Sequence, residues 1–179
     1  MPNTAYSANQ KRKKISSLLS VFSIFLILLI DQASKFLISS SLSQGQSIPI
    51  IKGVLHITFV KNTGAAFGLL KNSTYFFILV SVAAVVVIGA ILIRSLKSGK
   101  FLQNPLFNFS LILIISGAIG NLIDRVRFLY VIDFIDFRIW PVFNVADSAI
   151  TIGTVLLIFS LSKKPPQPNR LNLRGNLRG

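Results

Sequence analysis

Four long apolar stretches constrain this chain more than any other feature. Sixteen uncharged residues run from Ile15 to Ile30, and apolar character resumes after Lys35 with Phe36, Leu37 and Ile38. Asn72 to Ile93 and Phe101 to Ile123 carry no charge, and Phe143 to Ser162 carries only Asp147. A helix rises about 1.5 Å per residue, so about 20 such residues cross a ~30 Å hydrocarbon layer. The pattern predicts an all-α membrane protein with transmembrane helices near 15–38, 72–93, 104–123 and 143–162, forming one membrane-embedded domain over 15–162. The first stretch is expected to be a retained helix rather than a cleaved leader, because no small-x-small site precedes Asp31.

The basic residues predict the orientation. Twelve of them (Lys11, Arg12, Lys13, Lys14, Arg94, Lys97, Lys100, Lys163, Lys164, Arg170, Arg174 and Arg178) fall on one side of a four-pass topology. The other seven (Lys35, Lys52, Lys61, Lys71, Arg125, Arg127 and Arg138) fall at or beyond the opposite helix ends. Basic residues in short flanking segments mark the cytoplasmic side. Both termini are therefore expected in the cytoplasm: a basic segment over 1–14 and a basic disordered tail over 163–179. The net charge of +14 then reads as a topology signal and a contact with membrane lipid. Nucleic-acid binding is not expected, since no basic face with interleaved aromatics is evident.

The first outer connection, about 39–71, is long for a plain loop. Ile48 to Ile51, a Lys52-Gly53 turn and the strand-like run Val54 to Val60 predict a small β element there. His56 reads as a strand surface residue, not a catalyst. With no cysteine and a single histidine, thiolate chemistry and His-His metal motifs are excluded, and no cofactor or metal is expected.

The chain has five aspartates and no glutamate. Asp31 falls towards the outer end of the first helix, Asp124 at the outer end of the third, Asp133 and Asp136 in the second outer connection, and Asp147 near the outer start of the fourth. All five gather at one membrane face. Asp31 and Lys35, four apart on a helix, can pair. Asn121 and Asp124 are three apart, and Asn144 and Asp147 repeat that spacing. Two carboxyl groups brought together share one proton, so one can act as base on water while the other donates to a carbonyl. This is the hydrolytic chemistry the composition supports best. A Ser–Lys dyad from Ser34 or Ser148 with Lys35 lacks a local signature. Two other classes stay open at this point: an ion or proton transporter, which would want polar groups at mid-membrane, and a non-enzymatic assembly factor. Spacing alone does not choose which acids form a pair.

Four blocks, in order, resemble the lipoprotein signal peptidase (signal peptidase II) family over about residues 24–161: Asp31-Gln32-Ala33-Ser34-Lys35; Val60 through Asn62-Thr63-Gly64 to Gly68; Ser116 through Gly120-Asn121 to Asp124-Arg125, continuing to Val131-Ile132-Asp133-Phe134-Ile135-Asp136-Phe137; and Phe143-Asn144-Val145-Ala146-Asp147-Ser148. The resemblance implies a four-helix aspartyl endopeptidase of the bacterial inner membrane. Such an enzyme, working as a monomer with its site at the periplasmic face, cuts prolipoproteins just before a diacylglyceryl-modified cysteine. By motif it makes Asp133 and Asp147 the catalytic pair, and Asp31, Lys35, Asn62, Gly64, Asn121, Asp124, Arg125 and Asn144 supporting or substrate-binding residues. Ser116 stands where the family commonly has glycine. Phe67, Leu69 and Leu70 are expected near the surface, dipping into lipid or covering the acyl chains.

Overall fold

The computed structural model describes residues 4–64, 73–98 and 104–162. Four helices, α1 (Thr4–Ser41), α2 (Thr74–Ser98), α3 (Pro105–Phe128) and α4 (Val145–Ser162), are each long and apolar enough to cross a membrane. Helix α1 does not wait for its apolar run. Its 38 residues extend back through the basic segment, because Lys and Arg are good helix formers and no Gly or Pro interrupts Thr4 to Ile15. At about 57 Å it is nearly twice the hydrocarbon thickness. Helix α3 starts where Asn104 caps the Phe107 amide ahead of Pro105, and it ends one turn beyond Asp124, at Leu129 in the left-handed region (φ 64°).

Helix α3 is the centre of the bundle. It packs against the other three helices, most closely against α4, where a Cβ on Gly117 would strike the Ala146 carbonyl. Ser116 is buried with its hydroxyl on the Ile112 carbonyl, so the departure from glycine costs no unpaired group. The outer faces of α1, α2 and α4 show Phe22, Leu79, Val86 and Phe159, as lipid contact requires. The predicted start at Asn72, the Phe67, Leu69 and Leu70 group, Lys71 and the tail over 163–179 lie outside the described residues.

Three antiparallel strands, β1 (Ser47–Ile51), β2 (Leu55–Asn62) and β3 (Val131–Asp136), form one sheet with β2 in the middle. The β1–β2 turn passes through Gly53 at φ 77°, a conformation glycine adopts without a Cβ penalty. Phe59 and Ile132 pack with Leu42, just past α1, and so fix the sheet to the end of the bundle. Strand β3 corrects the sequence reading, which confined the β element to the first connection. It lacks hydrophobic alternation because both its faces are buried.

On one face of the sheet a hydrogen-bonded chain joins Asp136, Thr58, Ser47 and His56, with contacts of 2.7, 2.8 and 3.1 Å. Thr58 spends its only hydrogen on Asp136, so Ser47 donates to Thr58 and His56 donates from Nδ1 to Ser47. His56 is thus half-buried in a polar row, with its Nε2 buried and bonded to nothing among the described residues. Arg138 completes the row on Asp136 through its backbone N–H (2.8 Å) and guanidinium (3.2 Å). Burial acts to raise the Asp136 pKa, but the Thr58 and Arg138 bonds outweigh it and hold the carboxyl below its usual range.

Candidate active site

The aspartates converge on the end of the bundle that carries the sheet, in two layers. The rear layer is built on charge. Lys35 is only 2% exposed and lies 2.9 Å from both Asp31 and Asp124, bridging α1 to α3. Gln32, one residue after Asp31, donates to Asp31 (3.1 Å), the Gly120 carbonyl (3.2 Å) and Asp124 (3.0 Å). Both carboxylates then reach outward to backbone. Asp31 accepts the Ala146 amide in the first turn of α4 (2.9 Å), and Asp124 accepts the Ile132 amide of β3 (3.1 Å). An α1 carboxylate therefore fixes where α4 begins, and an α3 carboxylate fixes where β3 lies.

The front layer is built on amides. Asp133, on β3, accepts from Asn62 Nδ2 (2.9 Å) and Asn144 Nδ2 (2.7 Å). Asp147, in the first turn of α4, accepts from Asn121 Nδ2 (2.7 Å) and the Asn144 backbone N–H (3.2 Å). Asn144 Oδ1 in return accepts the Asp147 amide (2.8 Å), so Asn144 and Asp147 form a reciprocal cap at the start of α4. Asn121 is oriented from behind: its Oδ1 takes Lys35 Nζ (3.0 Å) and Asn144 Nδ2 (3.1 Å), which turns its own NH2 towards Asp147. Asn144 touches both front carboxylates, one through its side chain and one through its backbone.

The register of the sheet decides what meets Asp133. His56 pairs with Asp136 and Ile57 with Ile135, but Val60 pairs with Asp133, so one extra residue of β2 is taken up between Ile57 and Val60. A one-residue slip exchanges the two faces of a strand. Without the bulge Asp133 would share its face with Phe59 and Lys61. With it, Asp133 shares its face with Val60 and, diagonally, Asn62. The bulge puts an amide against Asp133 instead of a cation, and Lys61 lies 5.0 Å over the Tyr130 ring.

Among the described residues Asp31, Asp124 and Asp136 form ion pairs, and Asp133 and Asp147 form none. Buried without a cation in contact, Asp133 has its pKa pushed up to about 7. Desolvation is the main cause, the neighbouring Asp147 charge adds to it, and the bonds from Asn62 and Asn144 oppose it. Both carboxylates line a cleft of about 560 Å³. Asn62, Gly64 and Arg125 form one wall, Trp140 to Phe143 another, and Ser148, Thr151 and Ile152 of α4 a third. Arg125 sits 5.2 Å over the Phe77 ring, and the Gly64 amide is bonded to Asn62 Oδ1 (3.0 Å).

All ten residues singled out in the sequence meet here, but in separate roles. Asp31, Lys35 and Asp124 are turned away from the cleft, whereas Asn62, Gly64, Arg125, Asp133 and Asp147 line it. Sequence reasoning missed Gln32, although it stands inside the first block, and it missed the wall from Trp140 to Val142. The apolar run Trp140-Pro141-Val142, which directly precedes the fourth block, is the signal that could have found that wall.

Four apolar helices, a small sheet at one end and a cleft lined by two buried carboxylates define a multi-pass membrane protein with the apparatus of a hydrolase. The family model for Signal peptidase (SPase) II matches residues 23–163. The lipoprotein signal peptidase of Halothermothrix orenii is 49% identical over 138 residues, covering 77% of this chain and 91% of that protein. That of Clostridioides difficile is 45% identical over 142 residues, covering 78% and 92%. A solved bacterial membrane enzyme superposes with a TM-score of 0.73 at 31% identity, over 84% of this chain and 94% of its own. The chain belongs to the signal peptidase II family, and it is a membrane protease.

Proposed function

We propose that this protease removes the signal peptide of bacterial prolipoproteins just before a diacylglyceryl-modified cysteine, using Asp133 and Asp147 as an aspartyl pair at the outer face of the inner membrane. The observation that carries the pair is the division of the five acids: among the described residues three have cations in contact, and the two facing the cleft have amide donors alone. An acid in contact with a cation stays ionised. A buried acid with no cation in contact and a second carboxylate beside it has its proton affinity raised towards neutral pH, against the pull of its amide donors. One member then takes a proton from water as the oxygen attacks the scissile carbonyl, and the other donates to the carbonyl oxygen. Collapse of the tetrahedral intermediate returns a proton to the departing amine. Asn62, Asn121 and Asn144 hold the carboxylates in place through these steps.

The substrate is itself held in the membrane by its signal helix and acyl chains, which favours a site at the end of the helices with an apolar wall such as Trp140 to Phe143. A transporter reading has less support. The buried hydroxyls of Ser20, Ser110 and Ser116 are bonded to carbonyls of their own helices and link no path across the bundle. A non-enzymatic assembly factor would leave the aspartates individually replaceable.

The test is cleavage of a diacylglyceryl-modified prolipoprotein in detergent by Asp133→Asn and Asp147→Asn, with insertion and purification as controls. Each is expected to abolish turnover in a protein that still purifies. Retained cleavage in either would refute the pair.

A further inference from the structure

At the other end of the bundle, α2 and α3 enclose a second cavity of about 330 Å³, whose lining includes Ile91, Arg94, Ser95, Asn104 and Phe107. Its depth in the membrane follows from α2. Thr74 at the start of that helix donates to the Leu129 carbonyl, at the aspartate end. Arg94 lies 20 residues further along, about 30 Å of helix rise and one hydrocarbon thickness. Arg94 is therefore at the headgroup layer on the side away from the aspartates.

The cavity is graded as an amphiphile would need. Ile91 and Phe107 form its apolar part, with the buried Asn108 beside them, and Phe107 rests on the cluster of Leu92, Leu111 and Ile112. Arg94, Ser95 and Asn104 form its polar lip. Asn104 is fixed there, since its Oδ1 accepts from both the Phe107 amide (3.1 Å) and the Ser160 hydroxyl of α4 (3.1 Å).

Charge identifies the occupant. All five acidic side chains of the chain are committed at the aspartate end. The sequence supplies no acidic side chain for Lys11, Arg12, Lys13, Lys14, Arg94 or Lys97. Arg94 forms no ion pair among the described residues. No described residue neutralises it, and it stands at the depth where lipid phosphates lie.

We propose that this groove binds an anionic phospholipid of the leaflet opposite the aspartates, with its phosphodiester on the Arg94 guanidinium and an acyl chain along Ile91 and Phe107. The planar guanidinium fork matches two phosphate oxygens at once. The lipid acts as packing for α2, which buries only Thr74 and Leu92 within the protein.

The test is thermal unfolding of the full chain in dodecyl maltoside, titrated separately with phosphatidylglycerol, phosphatidylcholine and inorganic phosphate. Phosphatidylglycerol is expected to raise the Tm, and the other two are not. Arg94→Gln should need about tenfold more phosphatidylglycerol for the same shift, Arg94→Lys an intermediate amount, and Lys97→Gln within about twofold of the parent, as expected for fork recognition over general charge. An unchanged response in Arg94→Gln would overturn the proposal, as would equal loss in Lys97→Gln or an equal response to phosphatidylcholine. A shift reproduced by inorganic phosphate alone would overturn it in favour of a small-anion site.

Discussion

If the bond from Asn62 sets the proton affinity of Asp133, two substitutions of Asn62 should move the pH dependence of cleavage in opposite directions. On the proposed mechanism the pair needs one proton, and burial beside Asp147 pushes the Asp133 pKa up to about 7. Turnover should therefore fall as pH rises through about 7. Asn62 Nδ2 donates to the ionised form at 2.9 Å and so pulls the pKa down. A hydrogen bond to a charged group contributes about 1.5–3 kcal/mol. At about 1.4 kcal/mol per pH unit, Asn62→Ala should move the alkaline limb up by about one to two units. Asn62→Lys restores what the sheet would have presented without its bulge, a cation on the Asp133 face. An opposite charge at this range lowers a carboxyl pKa by about 1–3 units, so its limb should move down. The assay is kcat/KM for a diacylglyceryl-modified prolipoprotein between pH 5 and 10, with folding checked at each pH. A limb that stays in place in both variants, or moves down in Asn62→Ala, would refute the reasoning. Stability carries the same sign: protonated Asp133 is the form the fold favours. Its contribution is fullest below the ordinary value of 3.8 and declines as pH rises to about 7, by on the order of 4 kcal/mol.

Lys35→Met leaves the buried Asp31 and Asp124 without their cation and should cost about 3–5 kcal/mol by thermal or denaturant unfolding in detergent. Arg138→Gln removes a pair whose cation is 51% exposed and should cost under about 1 kcal/mol in the same measurement. At Gly120 a Cβ would stand 2.6 Å from Asp31 Oδ2 and 3.3 Å from the Ala146 Cβ. Gly120→Ala should thus push Asp31 off the Ala146 amide and reduce both Tm and turnover, while Gly89→Ala, which meets only Ile115 Cδ1 at 3.4 Å, should be tolerated. The hydroxyl chain to Asp136 requires neutral His56 to carry its proton on Nδ1. Nitrogen-15 NMR of labelled protein should show that tautomer, and Ser47→Ala should release it towards the commoner one.

The four spans and the β1–β2 hairpin were legible because each is a local pattern: unbroken apolar length for the helices, and a strand-like run behind a Lys-Gly turn for the hairpin. Helix α1 is longer than the apolar run predicts, because the Lys and Arg residues that end the uncharged stretch are themselves good helix formers. Strand β3 was hidden by burial on both faces, which removes the period of two. The division of the acids was not legible from spacing. Asn121 with Asp124 and Asn144 with Asp147 have the same three-residue separation, yet Asn121 donates to Asp147 and Asp124 goes to Lys35 and Gln32. Those choices are made by contacts 26 and about 90 residues apart in the chain, and by a bulge that leaves no mark in the hydrophobic pattern.

The rear layer has a further consequence for the front one. Lys35 stands one amide away from Asp147, through Asn121, and is kept there by two carboxylates that take its remaining charge. A cation free to approach the pair would favour its fully ionised form and remove the shared proton. On this reasoning Asp124 serves turnover by restraining Lys35, besides fixing β3 through the Ile132 amide. Asp124→Asn removes one anion and loosens the lysine, and both changes lower the Asp133 pKa. The variant should therefore retain cleavage at acid pH, with its alkaline limb lowered by on the order of one unit. A residue needed only for folding would lower Tm and the amount of active protein at every pH without moving the limb. Complete loss of turnover at pH 5–6 in a folded Asp124→Asn protein would instead make Asp124 a participant in the chemistry and overturn its place in the rear layer.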